Sequence, residues 1–259
     1  MDDVIWDLRA QKATSLIKEG KRADGRAMDE YRKVEIVKNI SENAEGSARV
    51  KLGGTEVVAG VKMVVGEPYP DSPDEGTISV TADLLPLASP EFEFGPPSPE
   101  STELARVVDR GIRESKTLEF KDLCIEEGEK VWVVFIDLYA LNEDGNLFDA
   151  FSIAALSSLL EARIPKVEEG AIVKGEYTGK LKLSRKPLLT TFSKIANKIV
   201  LDPTLVEEKA QEARFSLATT EDDYMCAFQK GGGGSFKAEE IDQCIEIAFK
   251  KAKEIRKKL

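Results

Sequence analysis

Arg106, Arg110 and Arg113 recur at i, i+4 and i+7 in the stretch ELARVVDRGIRESK, residues 103 to 116. On a helix turning about 100° per residue they fall within a band about 60° wide. Leu104, Val108, Gly111 and Ile112 take the opposite side. Such a helix docks through its apolar side and presents the guanidiniums to solvent. A guanidinium keeps its charge at any ordinary pH and offers a planar fork of donors, so the stripe can grip phosphate or carboxylate oxygens but cannot transfer a proton. The plainer alternative is a solvated face, with Glu103, Asp109 and Glu114 pairing the arginines.

The rest of the chain limits what chemistry is available. Its 259 residues contain no histidine, which excludes Ser-His-Asp and Cys-His catalysis, HExxH metal sites and a histidine base within this chain. Cys124, Cys226 and Cys244 are odd in number and form no CxxC pair, so they read as reduced, packed thiols. No metal and no cofactor is expected. A net charge of -10 argues against bulk attraction to nucleic acid or membrane, so any anion must meet a local basic patch or one shared with a partner. No apolar run approaches the roughly 18 residues of a membrane span, and the acidic MDDVIWDLRA start is unlike a signal peptide. The expectation is a cytoplasmic protein with no membrane contact.

The elements that would hold these residues alternate in period. Residues 3 to 19 read as an amphipathic helix with Ile5, Leu8, Leu16 and Ile17 on its apolar side, ended by the basic turn KRADGR. SARVKLGG, TEVVAGVKMVV and GTISVTADLLP alternate as strands, and KVWVVFIDLYAL reads as a mostly buried strand followed by the turn NEDGN. FGPPSPES leads into the helix of the three arginines, with Ser101 or Thr102 as its expected cap. Residues 149 to 163 form a helix apolar on most sides. Further strands are expected near 171 to 176 and 189 to 195, and at ARFSLATT and DYMCAFQK. A final helix begins near Ser235 and buries Ile241, Cys244, Ile245, Ala248, Phe249 and Ala252. Strands outnumber helices, which suggests α+β layers. The composition shifts at VEEGAIVKGEYTGKLKLSRKP, where the domain junction is placed.

KRADGR, SARVKLGGTEVVAGVK and DEGTISVTADLLPLASPEFEFGPPSPESTELARVVDRGIRESK together resemble the RNase PH family. The likeness continues through the strand, turn and helix of 130 to 163 and through QKGGGGS, covering nearly all the chain beyond residue 20. The central block is most similar to the non-catalytic RNase PH-like subunit of the archaeal exosome. The resemblance implies an α+β, RNase PH-like fold of two subdomains, each a β-sheet packed with helices: an N-terminal helix over 1–25, domain 1 over 26–170 and domain 2 over 186–259. Active members shorten RNA from its 3′ end by phosphorolysis: inorganic phosphate attacks the last phosphodiester and releases a nucleoside diphosphate. That reaction needs arginines on the RNA, a phosphate cradle and a carboxylic acid.

The resemblance also implies that this chain has lost the last two. Active relatives follow an Asp-Gly turn with Gly-Ser/Thr-Arg, where this sequence has DGNLFDA, with Leu147 and Phe148 in place of the hydroxyl and guanidinium. Arg214, in EARFSLA, stands where relatives carry an aspartate, and arginine is no acid near neutral pH. PPSPES replaces an arginine pair ahead of the long helix. The expectation is a chain with no catalytic residue of its own, in which Arg106 and Arg110, with Arg113 beside them, hold single-stranded RNA. The implied partners are a catalytic RNase PH-like exosome subunit, arranged with this chain as a ring of three heterodimers, and RNA-binding cap subunits. The rival reading is a self-sufficient phosphorolytic exoribonuclease, with Asp222 and Asp223 among its remaining acids; a third is a structural ring element without RNA contact. KRADGR reads either as a tie between the N-terminal helix and the fold or as a basic contact. Asp137 reads as a ligand or as a polar contact at a subunit seam. Gly231 to Gly234 read as a tight turn rather than an anion loop.

Overall fold

Alternating burial along the strands builds the fold. In the computed structural model, which describes residues 2–168 and 171–259, Val131, Trp132, Val134, Ile136, Leu138 and Ala140 are buried while Val133, Phe135, Asp137 and Tyr139 are only half-buried. The strand expected to be mostly buried therefore buries one face fully and half-buries the other, as one covered side of a sheet requires. Met1, at the start of the expected 1–25 segment, and Glu169 and Gly170, within the expected junction, lie outside the described residues.

The first sheet runs β1 (Val34–Lys38), β2 (Gly46–Leu52), β3 (Thr55–Gly66), β6 (Lys130–Asn142), β4 (Thr77–Leu84), with the short β5 (Cys124–Glu126) also on β6. Its pairs are antiparallel except β4 on β6, which is parallel, and β4 closes the path at one edge. Helices α2 (Pro99–Glu114) and α3 (Leu147–Glu161) pack on this sheet, and α3 is buried almost all round, as its apolar composition predicts. The hairpin β7 (Arg163–Glu168) and β8 (Ala171–Lys180) follows. The second sheet has the order β10 (Lys198–Leu201), β9 (Leu188–Ile195), β11 (Ala213–Thr219), β12 (Met225–Gly231), with α4 (Leu205–Ala210) between β10 and β11. The last helix, α5 (Ala238–Arg256), covers β9 and β11 through Cys244, Ala248, Ala252 and Ile255, starting three residues later than expected from Ser235. This is the expected α+β architecture. Among the described residues no helix is long and apolar enough to cross a membrane.

The first helix departs from expectation. α1 (Asp2–Lys18) buries Ala13 and Ile17 and half-buries Leu16, but Val4, Ile5 and Leu8 are exposed. Ile17 packs with Ile195 of β9 and Val200 of β10, and α1 also lies along α4, where Trp6 meets Lys209 at 5.9 Å, while Val4, Ile5 and Leu8 point to solvent.

KRADGR is anchored inside. Arg22 is buried and donates through Nε and Nη2 to Glu207 at 2.9 and 2.6 Å, and to the carbonyls of Leu201 and Asp202. Arg26 and Arg32 both reach the buried Asp202 carboxylate, at 2.9 and 2.8 Å. These bonds join the segment after α1 to the second sheet, which answers the KRADGR question in favour of a structural tie.

The turn before α3 belongs to the same network. Gly145 has φ +82°, and a Cβ there would lie 2.4 Å from Leu205 N, so only glycine is accommodated. Asn146, at φ 58°, caps α3 by accepting from Asp149 N, and its amide bridges the Asp149 and Asp202 carboxylates at 2.9 and 2.7 Å. Burial pushes the Asp149 carboxyl up to about 6, against hydrogen bonds from Asn146, Tyr31 and Thr191 that favour its charge. Between the unfolded value of 3.8 and about 6, the folded state then holds a proton that the unfolded state has released, so stability contributed by Asp149 falls as pH rises through that window. Urea unfolding of wild type and Asp149→Asn between pH 4 and 8 should differ in slope across it, with the decline shallower in the variant by about 2 kcal/mol in total.

Candidate nucleic-acid interface

The arginine stripe depends on how α2 begins. Ser98, not Ser101 or Thr102, is the cap: its Oγ accepts from Ser101 N at 3.1 Å, and Pro99 occupies the first helical position, where no N–H is needed. The expected cap lies one turn too late because the Pro-rich run initiates the helix instead of merely preceding it. Ser98→Ala should cost about 1 kcal/mol, read by urea unfolding. Leu104, Ala105, Val107, Val108, Gly111 and Ile112 are buried, and α2 rests on β4, β12 and α3. That docking turns the arginines outward beside β4, along a groove of about 370 Å³ lined by Ile78, Ser79 and Val80 as well as the three arginines.

The three side chains differ in freedom. Arg106 is exposed and has no hydrogen bond or ion pair to another described residue. Arg110 is exposed and donates from Nη1 to the Phe228 carbonyl at 3.2 Å and to Gln229 Oε1 at 3.4 Å, both on β12. Arg113 is held tightly. It bonds Asp109 at 3.1 and 3.3 Å, donates to the Ile78 carbonyl at 3.2 Å, and lies 5.5 Å from the centre of the Phe120 ring. Of the expected acidic partners, Asp109 pairs within the stripe, whereas Glu103 bonds Arg214 and Gln229 instead.

Leu147, Phe148 and Arg214 come together, in a separate cleft of about 260 Å³. Leu147 and Phe148 are buried in the first turn of α3. The Arg214 guanidinium stacks on the Phe148 ring, 4.0 Å from its centre, and Nη2 donates to Glu103 Oε1 at 2.5 Å. Glu91, Glu100, Glu143, Glu208 and Lys209 supply its charged lining beside Arg214. Burial raises the carboxyls of Glu100 and Glu143 and pushes Glu208 up to about 7. A cleft with four carboxyl side chains against one lysine and an already paired arginine is unsuited to an inorganic anion, and the side chains of Leu147 and Phe148 have no donor to offer one.

Other candidates sit elsewhere. Asp222 bonds Arg185 and Thr220 at the turn between β11 and β12, and neither it nor Asp223 lines the cleft. Asp137 accepts from Thr81 Oγ1 at 2.8 Å on the outward face of the first sheet. Gly231 to Gly234 form the tight turn between β12 and α5, tied by Gly234 N to the Glu212 carbonyl at 2.8 Å. Sequence reasoning missed Gln229 and the redirection of Glu103. Both contacts join segments more than a hundred residues apart, and no local pattern marks them.

Comparison with known proteins agrees with this architecture. Residues 30–165 match the 3′ exoribonuclease family, domain 1, and residues 187–251 match its domain 2. The chain is 48% identical to the exosome complex component Rrp42 of Thermococcus gammatolerans, over 98% of this chain and 95% of that one. The structure described as the Archaeoglobus fulgidus exosome with RNA bound to the active site includes a chain of 43% identity and TM-score 0.92, matched over 98% of this chain and 99% of that one. An archaeal exosome core includes another, at 41% identity and TM-score 0.89, over 99% and 98%. With both halves of the fold matched in order, the chain belongs to the RNase PH family of 3′ exoribonucleases.

Proposed function

We propose that this chain is a non-catalytic subunit of an archaeal exosome, a 3′-to-5′ phosphorolytic RNA-degrading complex. In this reading it orders the active site of a catalytic RNase PH-like partner and lends Arg106 and Arg110 to the backbone of single-stranded RNA. The partner binds inorganic phosphate and carries out the attack. The two chains alternate in a ring of three heterodimers, with RNA-binding cap subunits on one face, in the cytoplasm. Full-length similarity to an exosome component supports the subunit role.

One observation carries the non-catalytic part. The apolar Leu147 and Phe148, and an arginine stacked on that phenyl ring, occupy the positions that the family likeness assigns to the phosphate cradle and the acid, while Arg106 keeps an unengaged guanidinium outside. These features support a chain that grips a polyanion and leaves the seat for the attacking phosphate to its partner. Arg113, clamped to Asp109 and the Ile78 carbonyl, holds α2 against the β4 edge and stays near the RNA without bearing its main contact.

The test is phosphorolysis of single-stranded RNA with inorganic phosphate by this chain alone, by its catalytic partner alone and by the two together. The expected result is release of nucleoside diphosphates by the mixture, more than by the partner alone, and none by this chain. Release by the pure chain would establish the self-sufficient enzyme instead.

A further inference from the structure

Arg214 and Arg110 are joined by a continuous set of polar contacts that runs through Glu103 of α2 and Gln229 of β12. Arg214 stacks on Phe148 of α3 and donates to Glu103 Oε1 at 2.5 Å. The same oxygen accepts from Gln229 Nε2 at 2.7 Å. Gln229 Oε1 then faces Arg110 Nη1 at 3.4 Å, with the Phe228 carbonyl at 3.2 Å from the same nitrogen. The direction of the Gln229 amide follows from its neighbours: a carboxylate only accepts and a guanidinium only donates, so the NH₂ must face Glu103 and the carbonyl must face Arg110.

The backbone is arranged to allow this. Arg214 is paired with Gly231 across β11 and β12, and a Cβ at Gly231 would lie 2.8 Å from Arg214 Nη2. The glycine leaves the space in which the guanidinium turns toward Glu103. Ser216 and Gln229 form the next pair on that face, so Gln229 projects on the same side as Arg214.

We propose that Arg214, Glu103 and Gln229 are positioning residues for Arg110, setting the direction in which its guanidinium meets an RNA phosphate. This deepens the reading of Arg110 as a phosphate contact and rests on it. The arginine in the vacated cleft anchors Glu103, Glu103 orients the Gln229 amide, and the amide carbonyl narrows the rotamers of Arg110. A long side chain held near its bound geometry loses less conformational freedom on binding, so affinity rises without a new contact to the ligand.

The experiment is titration of a labelled single-stranded oligoribonucleotide with the reconstituted complex, the catalytic subunit being unable to turn over because phosphate is omitted. Gln229→Leu is expected to weaken binding threefold to tenfold when Arg110 is present and to have no effect in an Arg110→Ala background, the non-additivity of residues acting through one another. Glu103→Leu should behave the same way, and Glu103→Gln, which still offers Gln229 an acceptor oxygen, should recover most of the affinity. Thermal unfolding and assembly of each variant supply the control, and Gln229→Ser replaces Gln229→Leu if the latter does not assemble. If Arg110→Ala weakens binding and the Gln229 and Glu103 variants do not, the positioning role is overturned and the RNA contact stands. If Arg110→Ala changes nothing, both fall.

Discussion

Replacing Arg106 and Arg110 together by alanine in the assembled complex is expected to flatten the dependence of RNA affinity on salt by about 1.4 in log–log slope, since each single-strand phosphate contact contributes about 0.7. At fixed salt the loss should approach tenfold for each guanidinium, the typical worth of a hydrogen bond to a charged group. The stripe makes the two residues separable from their neighbour. Arg106 breaks no bond with another described residue when removed, and Arg110 breaks only its contacts to β12, so their loss should register in binding and hardly in stability. Arg113→Ala reverses the pattern: it removes the bonds to Asp109 and the Ile78 carbonyl and should lower the unfolding midpoint while leaving the salt slope nearly unchanged. Equal slopes for wild type and the double variant would mean that the chain makes no RNA contact through this helix and acts as a structural element.

Arg22→Ala should be the most destabilising single substitution in the segment after α1. It leaves the Glu207 carboxylate buried with only its Thr204 contacts, it removes the Arg22 donor from the Leu201 carbonyl, and it leaves the Asp202 carbonyl with Arg26 alone. Removing one partner of a buried ion pair typically costs about 3–5 kcal/mol, a large part of the roughly 5–15 kcal/mol that holds a domain folded. The double variant Arg22→Met with Glu207→Leu separates the cause. If the cost comes from an uncompensated charge, removing both charges should recover most of it, because an apolar pair of similar volume replaces a buried ion pair with little loss. Urea unfolding midpoints read both. Similar losses in the single and double variants would instead assign the cost to the backbone carbonyls that Arg22 satisfies.

Period-two alternation located β2, β3 and β4, a long apolar run located β6, and helical spacing located α2 and α5, because each buries a face against a large neighbour. The same reasoning failed at Ile5 and Leu8, which follow the apolar spacing of α1 yet are exposed. It also missed β1, β7 and β10, short strands whose place is decided by the longer strands beside them. At the site, spacing was enough to put three arginines on one face. Spacing also named Asp109 among the acids that could pair the stripe, but it gave no hint that the Ile78 carbonyl engages Arg113 while Arg106 meets no described partner, since that depends on where β4 lies. The cleft was visible only through family likeness: nothing in DGNLFDA alone says that Phe148 will lie beneath a guanidinium from β11.

Contacts from outside α3 hold the turn at Gly145 and Asn146. Its shape is held by Thr55 Oγ1 and Arg32 on the Gly145 carbonyl, at 2.6 and 3.0 Å, and by Glu208 on Asn146 N, at 2.9 Å. None of these ties involves the side chains of Leu147 or Phe148. The backbone of this loop is thus held independently of the side chains at positions 147 and 148, so what the turn carries is decoupled from how it is shaped.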